Sequence, residues 1–346
     1  MLALPSRCIR QNIEVLLQCK RHIRGSAGMS TPKGTDGQRK VREYALSRYL
    51  QFLTKYQAHL ERQFPSVYHV YRIFMAGMRD FYADVKTYLR IASELNLTGR
   101  GLRDLSHAEM RVYHQMPKDM VKVAPVLFLS ALPFTNYIIL PLLYTFPRQL
   151  LCAHFWMLQQ RAEFAKHALR RRLYNYRPVF RCLQEHLGAL RDSPLHAQWR
   201  AVLGQLGSGV HPRTDAVLAC RPLFQGDPYS LLHLYSGHVK GLLRMHGMHA
   251  GWRRRTRLAQ HAYSLHEMDR AIIREGGAPA LSPDDLRWAC ALRGLNPGSE
   301  RLEELAGWLA RWLAVSCHVD DTCWSLLLHC PVLLAYNHPA NWVLIH

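Results

Sequence analysis

At 346 residues, 49% of them hydrophobic, the chain is long enough for one sizeable core or two modest ones. Lys and Arg number 45 against 25 Asp and Glu, a formal charge of +20, which attracts polyanions such as nucleic acid, ribonucleoprotein or anionic lipid without naming one. Nine cysteines without a C-x-x-C pair, and no secretory signal, argue against a disulfide framework or a zinc ribbon.

In chain order, the first 28 residues carry Arg7, Arg10, Lys20, Arg21 and Arg24 against the single acid Glu14, with Ile9, Ile13, Leu16 and Leu17 at helical spacing. This pattern fits a mitochondrial transit peptide, with an ordinary basic helix as the alternative. Gly25 to Gly37 is small, polar and turn-prone, so residues 1–40 form a targeting segment and linker. Over 41–116 apolar and aromatic side chains recur every three or four positions, which predicts a helical region broken near Phe64-Pro65-Ser66. Its aromatics at that spacing are core or headgroup-level anchors rather than a base-stacking platform. Ser106 and Glu109 form a capping box that opens a short helix, which Pro117 is expected to close.

Val123 to Phe146 holds no charged side chain over 24 residues and is bracketed by Lys118, Lys122 and Arg148. As a helix it would reach about 36 Å, enough for a hydrocarbon core about 30 Å thick. Its length favours a single transmembrane crossing within 117–147, kinked by Pro125, Pro133 and Pro141 and carrying the amide of Asn136 into lipid. A buried core helix and a re-entrant hairpin turning at Pro133–Asn136 are the alternatives. Charge counting on the two sides is too even to orient a crossing.

From 148 to 346 the pattern is helical, and Arg148 to Arg172 is expected to be one helix. It ends in Arg170, Arg171 and Arg172, a basic collar outside the membrane. Gly204 to Gly209 lacks the Lys-Ser/Thr ending and the preceding strand of a phosphate loop. Another helical run is expected from Tyr229 to His246. After it, Arg253, Arg254, Arg255 and Arg257 nearly encircle a helix, and the patch suits phosphate or acidic protein unless it is only a solvated face. Ser282, Pro283, Asp284 and Asp285 spell a helix start, and Arg293-Gly294 its end. Two further helices follow, one with Leu302, Leu305, Leu309, Trp312 and Leu313 on one side, the next with Leu326 to Leu328. No long period-two alternation occurs, so the fold class is all-α.

Chemistry is sparse. His246, His249, His261 and His266 have no Asp or Cys completing a tetrahedral set, so no metal is expected. Cys317, Cys323 and Cys330 are expected to be small buried residues of the last helices. No nucleophile and base stand at a telling spacing, so neither enzymatic activity nor a cofactor is expected.

Three segments, PFTNYIILPLLYTFPRQLL at 133–151, AIIREGGAPALSPDDLRWACALRGLNPGSERLEELAGWLARWL at 271–313 and SLLLHCPVLL at 325–334, resemble the leucine-zipper/EF-hand transmembrane (LETM) family. The resemblance implies residence in the mitochondrial inner membrane, single-pass, with the helical domain at 148–346 in the matrix acting as a ribosome-binding module. A mitochondrial outer-membrane placement is the alternative. The implied partner is the mitochondrial ribosome, through rRNA or ribosomal protein; the apolar span adds the lipid bilayer, a structural role would add inner-membrane protein complexes, and an exchanger would require a second copy of the chain. Longer members are linked to cation/proton exchange. Here Asn136 stands where they carry an acid between the span prolines, and an amide does not titrate. Neither an EF-hand loop nor their long coiled coil is found in the sequence.

Overall fold

The computed structural model describes residues 65–97, 99–130, 142–143, 145–298 and 300–345. The chain divides into units 1–70 and 71–346, and only the last six residues of the first are described. The transit-peptide and linker segment 1–40, the first predicted helix after it, and Pro133, Asn136 and Pro141 lie outside the described residues. Among the described residues every regular element is helical, in agreement with the all-α expectation.

Helix α1 spans Pro65–Leu97 and α2 spans His107–Ser130. The Ser106 hydroxyl accepts from the Glu109 amide and the Glu109 carboxylate from the Ser106 amide, both at 3.2 Å, which satisfies two orphan donors of α2. Contrary to expectation, Pro117 does not end this helix; it and Pro125 lie inside it. An interior proline costs about 3 kcal/mol, and the burial of Met110, Met116 and Val123 on the faces of α2 supplies the offset. Among the described residues no helix is long and apolar enough to cross a membrane.

The helix expected over 148–172 is two pieces, α3 (Pro147–Leu150) and α4 (Leu158–Leu173). Between them the backbone is extended at Leu151, Cys152 and Trp156. That detour buries Cys152 and Phe155 against Phe81, Met116 and Val123, and lets the Trp156 indole donate to the Pro147 carbonyl at 3.1 Å.

The larger core begins at α4 and continues through α5 (Tyr176–Glu185), α6 (His196–Gly207), α7 (Thr214–Ala219), α8 (Ser236–Met245) and α9 (Arg254–Arg274). It closes with α10 (Pro283–Leu292), α11 (Leu302–Ser316), α12 (Trp324–Ala335) and α13 (Pro339–Ile345). The run expected to be helical from Tyr229 starts only at Ser236. Tyr229 instead turns inward, donating to the Leu183 carbonyl at 2.6 Å and accepting from the Trp199 indole at 3.0 Å. Helix α12 is the axis of the bundle, buried from Ser325 to Ala335 and packed on α5, α9 and α11. A helix apolar on every side has to be enclosed in this way.

Inside the bundle a charged network is paired, while His186 Nε2, His238 Nδ1 and His266 Nδ1 are buried without a hydrogen-bond partner among the described residues. The Asp269 carboxylate on α9 accepts from Trp312 Nε1 at 2.9 Å, from Ser316 Oγ at 2.5 Å and from the Arg293 guanidinium, which in turn donates to Ala289 O at 2.8 Å. Asp269 and Arg293 are 1% and 0% exposed, so each depends on the other for its charge to be tolerated. The start and stop expected for α10 are present: Ser282 Oγ accepts from the Asp285 amide at 3.2 Å, and Gly294 takes φ +92°. A Cβ at Gly294 would meet the Tyr176 hydroxyl, so packing as well as dihedral demands glycine there.

Candidate functional site

The basic residues singled out from the sequence separate into three groups. Arg170 and Arg171 are exposed on the last turn of α4, where a cation also suits the negative end of the helix dipole. Arg170 donates to the Tyr174 hydroxyl at 3.0 Å. Arg172 points the other way. Its guanidinium donates to the carbonyls of Met245 at 2.9 Å and of Ala291 and Leu292 at 2.8 Å, tying α4 to the ends of α8 and α10. This separates the three arginines: Arg172 spends donors on three internal carbonyls and is a brace, and only its neighbours Arg170 and Arg171 are exposed.

The second cluster lies where the loop after α8 enters α9. Arg253 is exposed, and it is the described non-glycine residue with positive φ, at 52°. Arg254 donates from Nε to the Ala250 and Gly251 carbonyls at 3.2 and 3.1 Å and from Nη1 to Ser236 Oγ at 3.1 Å. Arg255 donates to the Leu231 and Leu234 carbonyls at 3.2 and 2.6 Å. Arg257 donates to the His249 carbonyl at 2.9 Å. Each of these three keeps some N–H groups free, so the guanidiniums are both anchored and available. Trp252, 91% exposed, stands among them. Its signal in the sequence is an indole between a glycine and an arginine run.

Four cationic side chains at or near the start of a helix oppose its dipole, and no acid occupies the first turn of α9. Residues 228–266 include Lys240 and Arg244 besides these arginines, and not one Asp or Glu. No acid within this stretch of sequence offsets its charge, and the carboxylate beside it, Glu185, accepts from the Tyr235 hydroxyl at 3.1 Å.

His246 and His261 are paired inside the protein, whereas His249 is exposed and the buried His266 leaves its Nδ1 without a hydrogen-bond partner among the described residues. His246 Nε2 meets the Leu328 carbonyl at 3.0 Å and His246 Nδ1 meets His261 Nε2 at 3.2 Å, while burial pushes the His246 pKa down to about 3. Among the described residues no group of His, Cys, Asp and Glu could hold a metal ion. Cys323 and Cys330 are buried as expected, but Cys317 is exposed, because it caps α11 where the chain turns outward.

One arrangement has the outline of a nucleophile, base and orienting acid. Cys152 Sγ lies 3.3 Å from His154 Nδ1, whose Nε2 lies 2.9 Å from Asp84 Oδ2. Cys152 is only 1% exposed and burial raises its pKa to about 11, so the thiol is neither reachable nor ionised. A groove of about 630 Å³ beside α9 is of mixed charge, with Glu267 paired to Arg103 at 3.5 Å and to Arg270 at 3.7 Å.

Residues 105–333 match a family model described as LETM1-like, RBD. The chain is 34% identical over 287 residues to LETM1 domain-containing protein 1 of Xenopus tropicalis, covering 82% of each. It is 31% identical over 300 residues to the protein of that name from Homo sapiens, covering 85% of this chain and 82% of the relative, and 33% over 290 residues to that of Bos taurus, covering 82% and 79%. Residues 105–333 take in α2, the collar of α4, the arginine loop and the Asp269 network, and on these matches the chain belongs to the LETM1-like family.

Proposed function

We propose that this protein is a non-enzymatic mitochondrial tether. Its charge-free stretch anchors it in the inner membrane, and its helical bundle binds mitochondrial ribosomes from the matrix side, supporting translation, respiratory-complex biogenesis and mitochondrial structure. The observation that carries the reading is the cluster of Arg253 to Arg257 within 228–266, a stretch without Asp or Glu, on a region that matches a ribosome-binding family model. Exposed Arg170 and Arg171 supply a second cationic face. Ribosomes present phosphate densely, and neutralising it releases counterions, so affinity should fall steeply with salt.

The test uses the full chain in nanodiscs and purified mitochondrial ribosomes. Binding should weaken by orders of magnitude between about 50 and 200 mM salt, and changing Arg253, Arg254 and Arg255 to Ala should flatten the logarithmic salt slope by about 2. No binding at about 50 mM salt, or salt-independent binding, would overturn the reading. Resistance of the protein to alkaline carbonate extraction, lost when 131–141 is deleted, tests the anchor. The cation/proton exchanger, or a subunit of one, is the competing reading. One crossing encloses no pathway, so it requires oligomers, and Asn136→Leu should then abolish proton flux in proteoliposomes.

A further inference from the structure

Trp252 is the most exposed of the large hydrophobic side chains described in the protein, at 91%. It does not shield a core, and among the described residues neither its indole nitrogen nor the Arg253 guanidinium has a hydrogen-bonding partner. Gly251, Trp252, Arg253, Arg254, Arg255 and Thr256 by themselves line a shallow depression of about 360 Å³. An indole left in water on a cationic surface is a poor choice for solubility and a good one for a ligand that is both planar and anionic.

We propose that Trp252 stacks on an unpaired RNA base while Arg253, Arg254 and Arg255 hold the flanking phosphates, so that the ribosomal component gripped here is single-stranded RNA. The proposal rests on the ribosome-binding reading above and names the partner of that surface. Every base has a π-face, so stacking tolerates sequence, and arginine adds bidentate contacts to phosphate. Arg254 and Arg255 are held by backbone carbonyls on both adjoining loops, which reduces the ordering cost when phosphate arrives. An acidic protein would satisfy the arginines but leave the indole without a counterpart, unless it brought a pocket of its own. An RNA duplex hides its base faces and offers Trp252 nothing to stack on.

The experiment measures anisotropy of a labelled single-stranded RNA of about 12 nucleotides titrated with the full chain in neutral phosphatidylcholine nanodiscs. Trp252→Ala should weaken binding about 5- to 150-fold with the salt slope unchanged, and Trp252→Phe should retain most of the affinity. Arg253→Ala should lower the slope by about 0.7 instead. A blunt duplex of the same sequence should bind wild type and Trp252→Ala alike, and the thermal midpoint of Trp252→Ala should match wild type because the side chain is exposed.

Equal single-strand affinity of wild type and Trp252→Ala would overturn the proposal. So would a Trp252→Ala defect seen with phosphatidylserine vesicles and not with RNA, which would make this a lipid-docking tip. A defect in ribosome binding without one in RNA binding would also overturn it and would point to a ribosomal protein. The two readings fail separately. If Trp252→Ala still binds ribosomes normally, only the stacking falls; if wild type binds no ribosomes at all, the tether falls.

Discussion

The bundle from α4 to α13 and the helical pair α1 and α2 are both all-helical, yet they are held together by different means. The bundle shares one continuous core from Leu169 to Ala340, with Trp199, Trp308, Trp312 and Tyr229 enclosed and a charged network at Asp269 inside it. The pair has two small clusters, one around Phe81, Met116 and Val123, the other around Ile91, Leu105 and Met110 against α9. It leaves Tyr82, Leu89, Leu97, Val121 and Phe128 exposed. Burial at about 25 cal/mol per Å² therefore stabilises the bundle far more than the pair. The lesson is a division of labour: a well-packed body that presents a charged surface, and a looser apolar pair whose α2 holds the start of the charge-free stretch, with Val123 buried against Phe81 and Met116.

Acid should break the bundle most. Burial depresses His238, His246 (to about 3) and His329 (to about 4) from their usual 6.5. Below about pH 6.5 the unfolded chain binds protons that the folded bundle refuses, so stability falls as pH falls. Each histidine contributes up to about 2 kcal/mol of that loss at about pH 5, and none above about pH 7.5. Urea denaturation monitored by tryptophan fluorescence should show the midpoint dropping over this window, and a flat profile would refute the depressed values.

Asp269→Ala comes next. It leaves Arg293 buried without its counter-charge and orphans Trp312 Nε1 and Ser316 Oγ, at a cost of about 3–5 kcal/mol by chemical denaturation. Met116→Ala in the pair should cost about 2 kcal/mol, the low end for such a change, because its cluster is small enough to collapse. Hydrogen exchange should then quicken in α1 and α2 and leave α12 protected; faster exchange in α12 would mean the two regions are one cooperative unit. The smallest effect runs upward. Arg253→Gly relieves the left-handed backbone and should stabilise by about 0.5–1 kcal/mol while weakening ribosome binding, and a loss of stability would mean that the arginine is itself a structural brace.

Much of this was legible from neighbours in the sequence. The capping box at Ser106 and Glu109, the start at Ser282-Pro283 and the stop at Gly294 all obey rules that operate within four residues. The apolar stripe of α11 foretold its buried face at Leu305, Leu309, Trp312 and Leu313, though Leu302 is exposed, and Leu326 to Leu328 foretold the helix α12 but not its place as the axis. Local rules misjudged Pro117, because the burial that sustains α2 through it comes from α1 and the 151–155 detour.

The sequence by itself determined the helical class, the capped helix ends at Ser106, Ser282 and Gly294, the cationic excess and the family resemblance, since each depends on short-range patterning or on composition. Only the tertiary structure decided what individual charges do. Arg172 reaches carbonyls 73, 119 and 120 residues away and is a brace; Asp269 and Arg293 meet across 24 residues and are enclosed; Arg253 and Trp252, in an equally basic run, are left facing water. A charge is tolerated inside only when distant partners desolvate with it, and where those partners lie is settled by packing rather than by spacing along the chain.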